Sequence, residues 1–195
     1  MNILDPLKKF WRFLKKDTWQ SWVVSLVLAF IIIKFLFFPV LGFVTGSSLP
    51  LVVVESCSMY HAGKFDSWWN SNSAWYERQG ISEKDFRNFA FRNGLNKGDI
   101  ILVYGRGDYG LGDVVIFESV YKFPLIHRVV ELGDVDGIAM IATKGDNNNN
   151  QLPSEKDIKE EEVLGKALLR VPGLGWVKLI FFEGTRPESQ RGFCS

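Results

Sequence analysis

Two residue types that often carry chemistry are scarce in this chain of 195 residues, which has two cysteines, Cys57 and Cys194, and two histidines, His61 and His127. Two cysteines cannot build a disulfide framework, nor by themselves a cysteine zinc cluster. No metal site and no cofactor is expected, and a histidine-dependent reaction has two candidates. Net charge is also nearly absent, at +1, which argues against a protein built to grip nucleic-acid phosphates. Apolar residues, by contrast, are plentiful. With 47% hydrophobic and 14% aromatic residues, disorder throughout is excluded, and the length suits one domain.

The apolar residues are unevenly spread. Trp22 to Val44 reads WVVSLVLAFIIIKFLFFPVLGFV, 23 residues interrupted by one charge, Lys34. As a helix this is about 34 Å long, enough to cross a bilayer, and too long and too uniformly apolar for a signal peptide or a core helix. A start near Thr18 places Lys34 towards the far interface, with Pro39 and Gly42 where the helix ends. Lys8, Lys9, Arg12, Lys15 and Lys16 outnumber Asp5 and Asp17 on the near side, so the positive-inside rule puts the N-terminus in the cytoplasm.

Beyond the anchor the pattern turns strand-like. Leu49–Glu55, Asp99–Tyr104, Asp113–Glu118, Leu125–Leu132, Gly137–Thr143 and Val163–Val171 are rich in Val, Ile and Leu and separated by Gly-Asp turns. The expected class is mostly β, an antiparallel sheet curled or packed on itself. An aromatic-rich stretch, 60–96, interrupts it. Ser82 followed by Asp85 reads as a capping box, so one or two short helices are expected, with Gly94 as a stop. Its aromatics form either a satellite core or a lid resting among lipid headgroups. The apolar run Val171–Phe182 is too short for a second span and packs on the domain or dips into the interface, with Trp176 at headgroup level.

Taken singly, the polar candidates say little. Ser58 follows a strand in Glu55-Ser56-Cys57-Ser58-Met59 and could be a turn residue. His127 shares a strand face with Leu125 and Val129, while Arg128 points the other way. Lys122, five residues back, falls on the face opposite His127. Asp146 follows a strand in Lys144-Gly145-Asp146-Asn147-Asn148 and could be a turn aspartate.

Taken in order behind an N-terminal anchor, these segments resemble the type I signal peptidases. Ser56-Cys57-Ser58-Met59 is similar to the family's Ser-Gly-Ser-Met box. Lys97-Gly98-Asp99-Ile100 and Gly112-Asp113-Val114-Val115 are similar to its two Gly-Asp strand starts. Ile126-His127-Arg128-Val129 is similar to the box that holds the base, and Lys144 to Asn148 to the acidic box. Bacterial members carry lysine where His127 stands; archaeal and endoplasmic-reticulum members carry histidine. The resemblance implies a signal-peptidase-like β domain and a membrane-anchored serine endopeptidase, with Ser58 as nucleophile and His127 as general base. Imidazole, with a reference pKa of about 6.5, can be neutral near pH 7. Asp146 would orient the imidazole or stabilise its cation, and the Ser58 N–H would contribute to an oxyanion hole. It also implies signal peptides of preproteins as substrates, bound extended along a strand edge, with the lipid bilayer and the secretion channel as further partners. The stretch from Phe35 to Met59 looks closer to archaeal relatives, which favours an archaeal plasma membrane over the endoplasmic reticulum.

The parts are then a basic cytoplasmic N-terminus (1–20), a transmembrane anchor (21–44), an extracytoplasmic catalytic β domain (45–182, with the insertion at 60–96) and a C-terminal tail (183–195). Three features depart from the family. Cys57 replaces a glycine, the insertion is long, and the usual second acid is replaced by Leu152, leaving Glu155 or Asp157 as substitutes. His61 is expected to be an exposed loop residue, and Cys57 and Cys194 are expected to stay unpaired. One alternative is a non-catalytic anchored β domain that binds apolar peptides as an assembly subunit. Another makes Cys57 the nucleophile. A third, a soluble self-cleaving repressor, fails on the span and on His127.

Overall fold

The computed structural model describes residues 4–119 and 123–194, so Lys122 lies outside the described residues. The chain forms two compact units, Met1–Val44 and Thr45–Ser195.

In the first unit, helix α1 (Leu4–Leu14) precedes α2 (Trp19–Ile32). Thr18 caps α2, its hydroxyl oxygen accepting the Ser21 N–H at 3.4 Å in place of the missing intrahelical partner. The Ser21 hydroxyl donates in turn to the Leu14 carbonyl at 2.8 Å. After α2 the backbone makes a π-helical turn over Ile33–Phe37 and resumes as α3 (Phe38–Thr45). Pro39 is the cause, because it has no N–H to give and its ring crowds the carbonyl of Phe35, four residues earlier. The Phe38 N–H reaches back five residues to the Ile33 carbonyl, and the widened turn absorbs the ring. The helix thus runs through Pro39 and Gly42, and the helical run spans Trp19–Thr45, 27 residues or about 40 Å. Its length and composition are compatible with a single-pass anchor. The Lys34 ammonium lies over the rings of Phe30 and Phe35, at 5.7 and 5.4 Å.

The second unit is built on one antiparallel sheet. Its elements are β1 (Leu51–Val53), α4 (Phe65–Arg78), α5 (Glu83–Asn88), β2 (Ile100–Tyr104), β3 (Val114–Phe117), β4 (Leu125–Val135), β5 (Ile138–Lys144), β6 (Ile158–Lys159), β7 (Val163–Val171) and the short α6 (Trp176–Leu179). The strands lie in the order β1-β2-β7-β3-β4-β5-β6. All six Val/Ile/Leu runs become strands. Among the described residues, only the two-residue strand β6 has no counterpart in the sequence pattern, being too short to show alternation.

Period-two alternation along β4 places the site. Val129, and Leu125 at the margin, pack with Val115, Phe117, Ile141 and Ile158 on one face. Val130 packs on the other, against Phe65, Trp68, Trp69, Tyr76 and Phe86 of the insertion. The sheet is therefore covered on both sides at the start of β4, and His127 and Arg128 are both buried although they point opposite ways. The insertion owes its fold to the Ser82 cap, whose hydroxyl and backbone N–H both meet the Asp85 carboxylate, and to its stacked aromatics. Trp68 and Trp69 are 3% and 4% exposed, so they form a satellite core and not a lipid-facing lid. Helix α5 ends at Asn88, before Gly94.

The run after β7 packs on the domain, with Leu179 buried and the Trp176 indole donating to the Lys97 carbonyl at 3.1 Å. Gly98 is required there, since its φ is +90° and a Cβ would lie 2.2 Å from the Trp176 ring. The tail then folds back along the start of the domain. Lys97 binds Glu183 at 2.7 Å and the Gln190 carbonyl at 2.6 Å, and Arg186 grips both the carboxylate and the carbonyl of Glu55. These contacts bring Cys194 to Cys57, and the two form a disulfide across 137 residues of sequence, with Cα atoms 5.6 Å apart. The expectation of two unpaired cysteines is corrected: the ion pairs that dock the tail overcome a sequence separation that says nothing about distance.

Candidate active site

The serine sits where β1 runs out. Past Val53 the β1–β2 pairing lasts one residue more, with Val54 N–H on the Asp99 carbonyl and Gly98 N–H on that of Val54. The chain then turns, the Tyr60 N–H bonding the Cys57 carbonyl at 3.1 Å, and the turn presents a half-buried Ser58. Its Oγ lies 3.0 Å from His127 Nε2 and 3.1 Å from the Ser56 hydroxyl. Cys57, next door, is bridged to Cys194 and carries no thiol, so the Cys–His alternative loses its nucleophile.

His127 is 2% exposed, and its Nδ1 meets the Glu155 carboxylate in a short contact. A carboxylate only accepts, so Nδ1 carries the proton and Nε2 turns its lone pair to the Ser58 hydroxyl. Glu155 ends a 3₁₀ turn, Pro153–Glu155, and is fully buried. Its second oxygen takes the Leu152 N–H at 2.5 Å, and Thr143 donates to the first at 3.4 Å. Gly145 lines the imidazole, where a Cβ would lie 2.9 Å from Nε2. Asp157, the other substitute acid, is exposed.

Asp146 does not orient this imidazole. Its carboxylate is buried against Arg128, which binds it through Nε at 2.9 Å and a terminal nitrogen at 2.7 Å, and it also accepts from Tyr76 at 3.0 Å and from His61 Nε2 at 2.9 Å. Arg128 gives its three remaining N–H groups to the carbonyls of Ala90, Gly112 and Phe91. Burial alone would push the Asp146 carboxyl up. The Arg128 charge and the His61 and Arg128 hydrogen bonds outweigh it and hold Asp146 well below the usual carboxylate range. The reason for the correction is one of face: Arg128 and Lys144 are register partners, so the chain leaves β5 on the Arg128 side of the sheet, and His127 points to the other. His61, expected to be exposed, is 4% exposed and tied to Asp146. Nothing in its sequence neighbourhood signals this. Lys144 is buried too, with its ammonium 5.0 and 4.9 Å from the Trp75 and Tyr76 rings and bonded to the Gly145 carbonyl at 3.0 Å. Burial pulls it down to about 8, a shift that the Asp146 and Glu155 carboxylates only partly offset.

A hydroxyl, an imidazole and a carboxylate in series, with the hydroxyl half-buried just past the end of a strand, form the constellation of a serine hydrolase. No protein-family model matches the chain. Curated relatives do. The signal peptidase complex catalytic subunit SEC11 of Komagataella phaffii is 29% identical over 178 residues, covering 84% of this chain and 85% of that one. The subunit of the same name from Lachancea thermotolerans is 28% identical over 159 residues, 76% of each chain. That of Dictyostelium discoideum is 28% identical over 95 residues, 45% of this chain and 53% of its own. These relatives bear out the resemblance to type I signal peptidases of the endoplasmic-reticulum type and the serine endopeptidase class.

Proposed function

We propose that this protein removes signal peptides from preproteins as a membrane-anchored serine endopeptidase, with Ser58 as nucleophile, His127 as general base and Glu155 as the acid that holds the imidazole. The observation that carries the reading is the 3.0 Å approach of Ser58 Oγ to a His127 Nε2 whose opposite nitrogen is held by Glu155. His127 takes the hydroxyl proton as Ser58 attacks the scissile carbonyl, and Glu155 stabilises the resulting imidazolium. His127 then returns the proton to the leaving amine, and water repeats the cycle on the acyl-enzyme. The Ser58 N–H is the oxyanion donor in this reading. Asp146 belongs to the scaffold, fastening the Arg128 side of the sheet.

The basic residues Lys8, Lys9, Arg12, Lys15 and Lys16 ahead of the apolar helix support an N-terminus in the cytoplasm and a catalytic domain on the far side. The relatives are eukaryotic and are named as subunits of a signal peptidase complex, which favours an endoplasmic-reticulum membrane and a multi-subunit assembly. Nothing in them supports the archaeal membrane, and the secretion channel enters as the source of the substrate. Both Ser58 and His127 are present and in contact, which disfavours a peptide-binding subunit without activity.

The test is cleavage of a preprotein by the full chain in detergent, with Ser58→Ala and His127→Asn beside it. Both variants should lose activity by about three or more orders of magnitude while melting near the parent temperature. Cleavage that survives Ser58→Ala removes the nucleophile from this reading.

A further inference from the structure

The proposed mechanism makes no use of one buried histidine–carboxylate pair, His61 and Asp146, which lie 2.9 Å apart. Asp146 only accepts, so His61 Nε2 donates and Nδ1 is left with a bare lone pair, buried and without a partner among the described residues. The ring is stacked on Trp68, with centroids 3.6 Å apart and planes within 5°. It also abuts Gly94, where a Cβ would come within 2.6 Å of Cδ2. A phenylalanine would fill the same slot and leave no orphaned nitrogen, so packing alone does not account for the imidazole.

What the imidazole adds is the last rung of a ladder between two loops. The Cys57 carbonyl accepts from the Asn147 side-chain amide at 3.1 Å, and the Ser58 carbonyl from the Asn147 N–H at 2.7 Å. Met59 Sδ accepts from the Asp146 N–H at 3.4 Å, and His61 donates to the Asp146 carboxylate. The carboxylate cannot follow if His61 shifts, because Arg128 and Tyr76 hold it from the sheet and from the insertion. The loop that bears Ser58 is tied elsewhere, through the Cys57 bridge and through the Met59 carbonyl, which accepts the Leu95 N–H at 2.8 Å, so losing the His61 rung releases it only by a small shift.

We infer that His61 is a positioning residue: it fastens the Ser58 loop to the fixed Asp146 hub, with Trp68 of the insertion as the wall behind it, and so sets the Ser58–His127 approach. This rests on Ser58 being the nucleophile. A displacement of about 1 Å at a nucleophile can cost about 100-fold in rate, so a single lost rung is visible in turnover.

His61→Phe keeps the stack and drops the donor, whereas His61→Gln keeps an amide donor and drops the imidazole. Each full-length variant is assayed in detergent for kcat and KM on a preprotein, for melting temperature, and for amide hydrogen exchange at Asn147. We expect His61→Phe to lower kcat about tenfold or more with KM nearly unchanged and the variant still folded at the assay temperature, to speed exchange at Asn147, and His61→Gln to recover most of both. Parental kcat and a protected Asn147 amide in His61→Phe overturn the inference, as does a kcat loss that His61→Gln does not relieve at all. If Ser58→Ala still cleaves, the nucleophile reading is what fails, and Asn147 exchange still reads the ladder without reference to activity.

Discussion

Glu155 and Asp146 are both fully buried carboxylates, and each holds a histidine, yet their surroundings fit them for different work. Asp146 is matched by the permanent charge of Arg128, itself fully buried with every N–H engaged. Among the described residues Glu155 takes only neutral donors besides His127, the Leu152 amide and the Thr143 hydroxyl. A carboxylate with no cation bonded to it among the described residues is the one whose charge is open to meet an imidazolium as it forms. A carboxylate already paired is a structural tie. One pair faces the half-buried Ser58 hydroxyl; the other faces a guanidinium inside the fold.

The sharpest way to break that comparison is to neutralise each acid in turn. Glu155→Gln keeps size and hydrogen bonding but removes the charge and can reverse the imidazole tautomer. Turnover should fall by about 10²- to 10⁴-fold with little change in melting temperature. Parental turnover in this variant would take Glu155 out of the proton path. Asp146→Asn should do the reverse, leaving Arg128 buried without a counter-charge and costing about 3–5 kcal/mol of stability. The pH dependence has a definite sign. Because the fold lowers the Asp146 pKa, its contribution is present above the ordinary carboxylate value of about 3.8 and is lost as pH falls below it. Thermal melts across about pH 2–7 should therefore show the gap between parent and Asp146→Asn narrowing towards acid. A constant gap would mean that Asp146 is not ionised in the fold.

The same two carboxylates show what the chain reveals before folding and what it does not. Ser58 and His127 stand out because ordered boxes surround them, and strand alternation puts His127 and Arg128 on opposite faces. That alternation also bears on Asp146, since an acid leaving β5 on the Arg128 side serves Arg128. Glu155 is harder to read because it falls three residues past the expected position, and the 3₁₀ turn Pro153–Glu155 that takes up those residues leaves no periodic trace. The α5 helix is legible from its Ser82–Asp85 cap. The burial of His61 is not, since it depends on Trp68 and Asp146, seven and 85 residues away. Long-range docking also hides the disulfide, because Lys97, Glu183, Arg186 and Glu55 form no pattern until the tail folds back.

Lys144 offers the smallest test and reads both acids at once. Its ammonium faces the Trp75 and Tyr76 rings from α4 and the Gly145 carbonyl just past its own strand, and it feels the charges of Asp146, Glu155 and Arg128. No carboxylate pairs with it directly among the described residues, so burial dominates and its pKa drops to about 8. A lysine whose pKa is lower folded than unfolded costs stability while it is charged, and the cost fades as pH rises from about 8 towards 10.5. Lys144→Met keeps most of the stem and removes the charge. It should stabilise the protein near pH 7 by on the order of 2 kcal/mol, with the advantage over the parent shrinking by about pH 10. If the variant is instead less stable at about pH 7 and the deficit closes at high pH, the two carboxylates outweigh burial, and Lys144 is a third partner of the acids that distinguish the two histidine pairs.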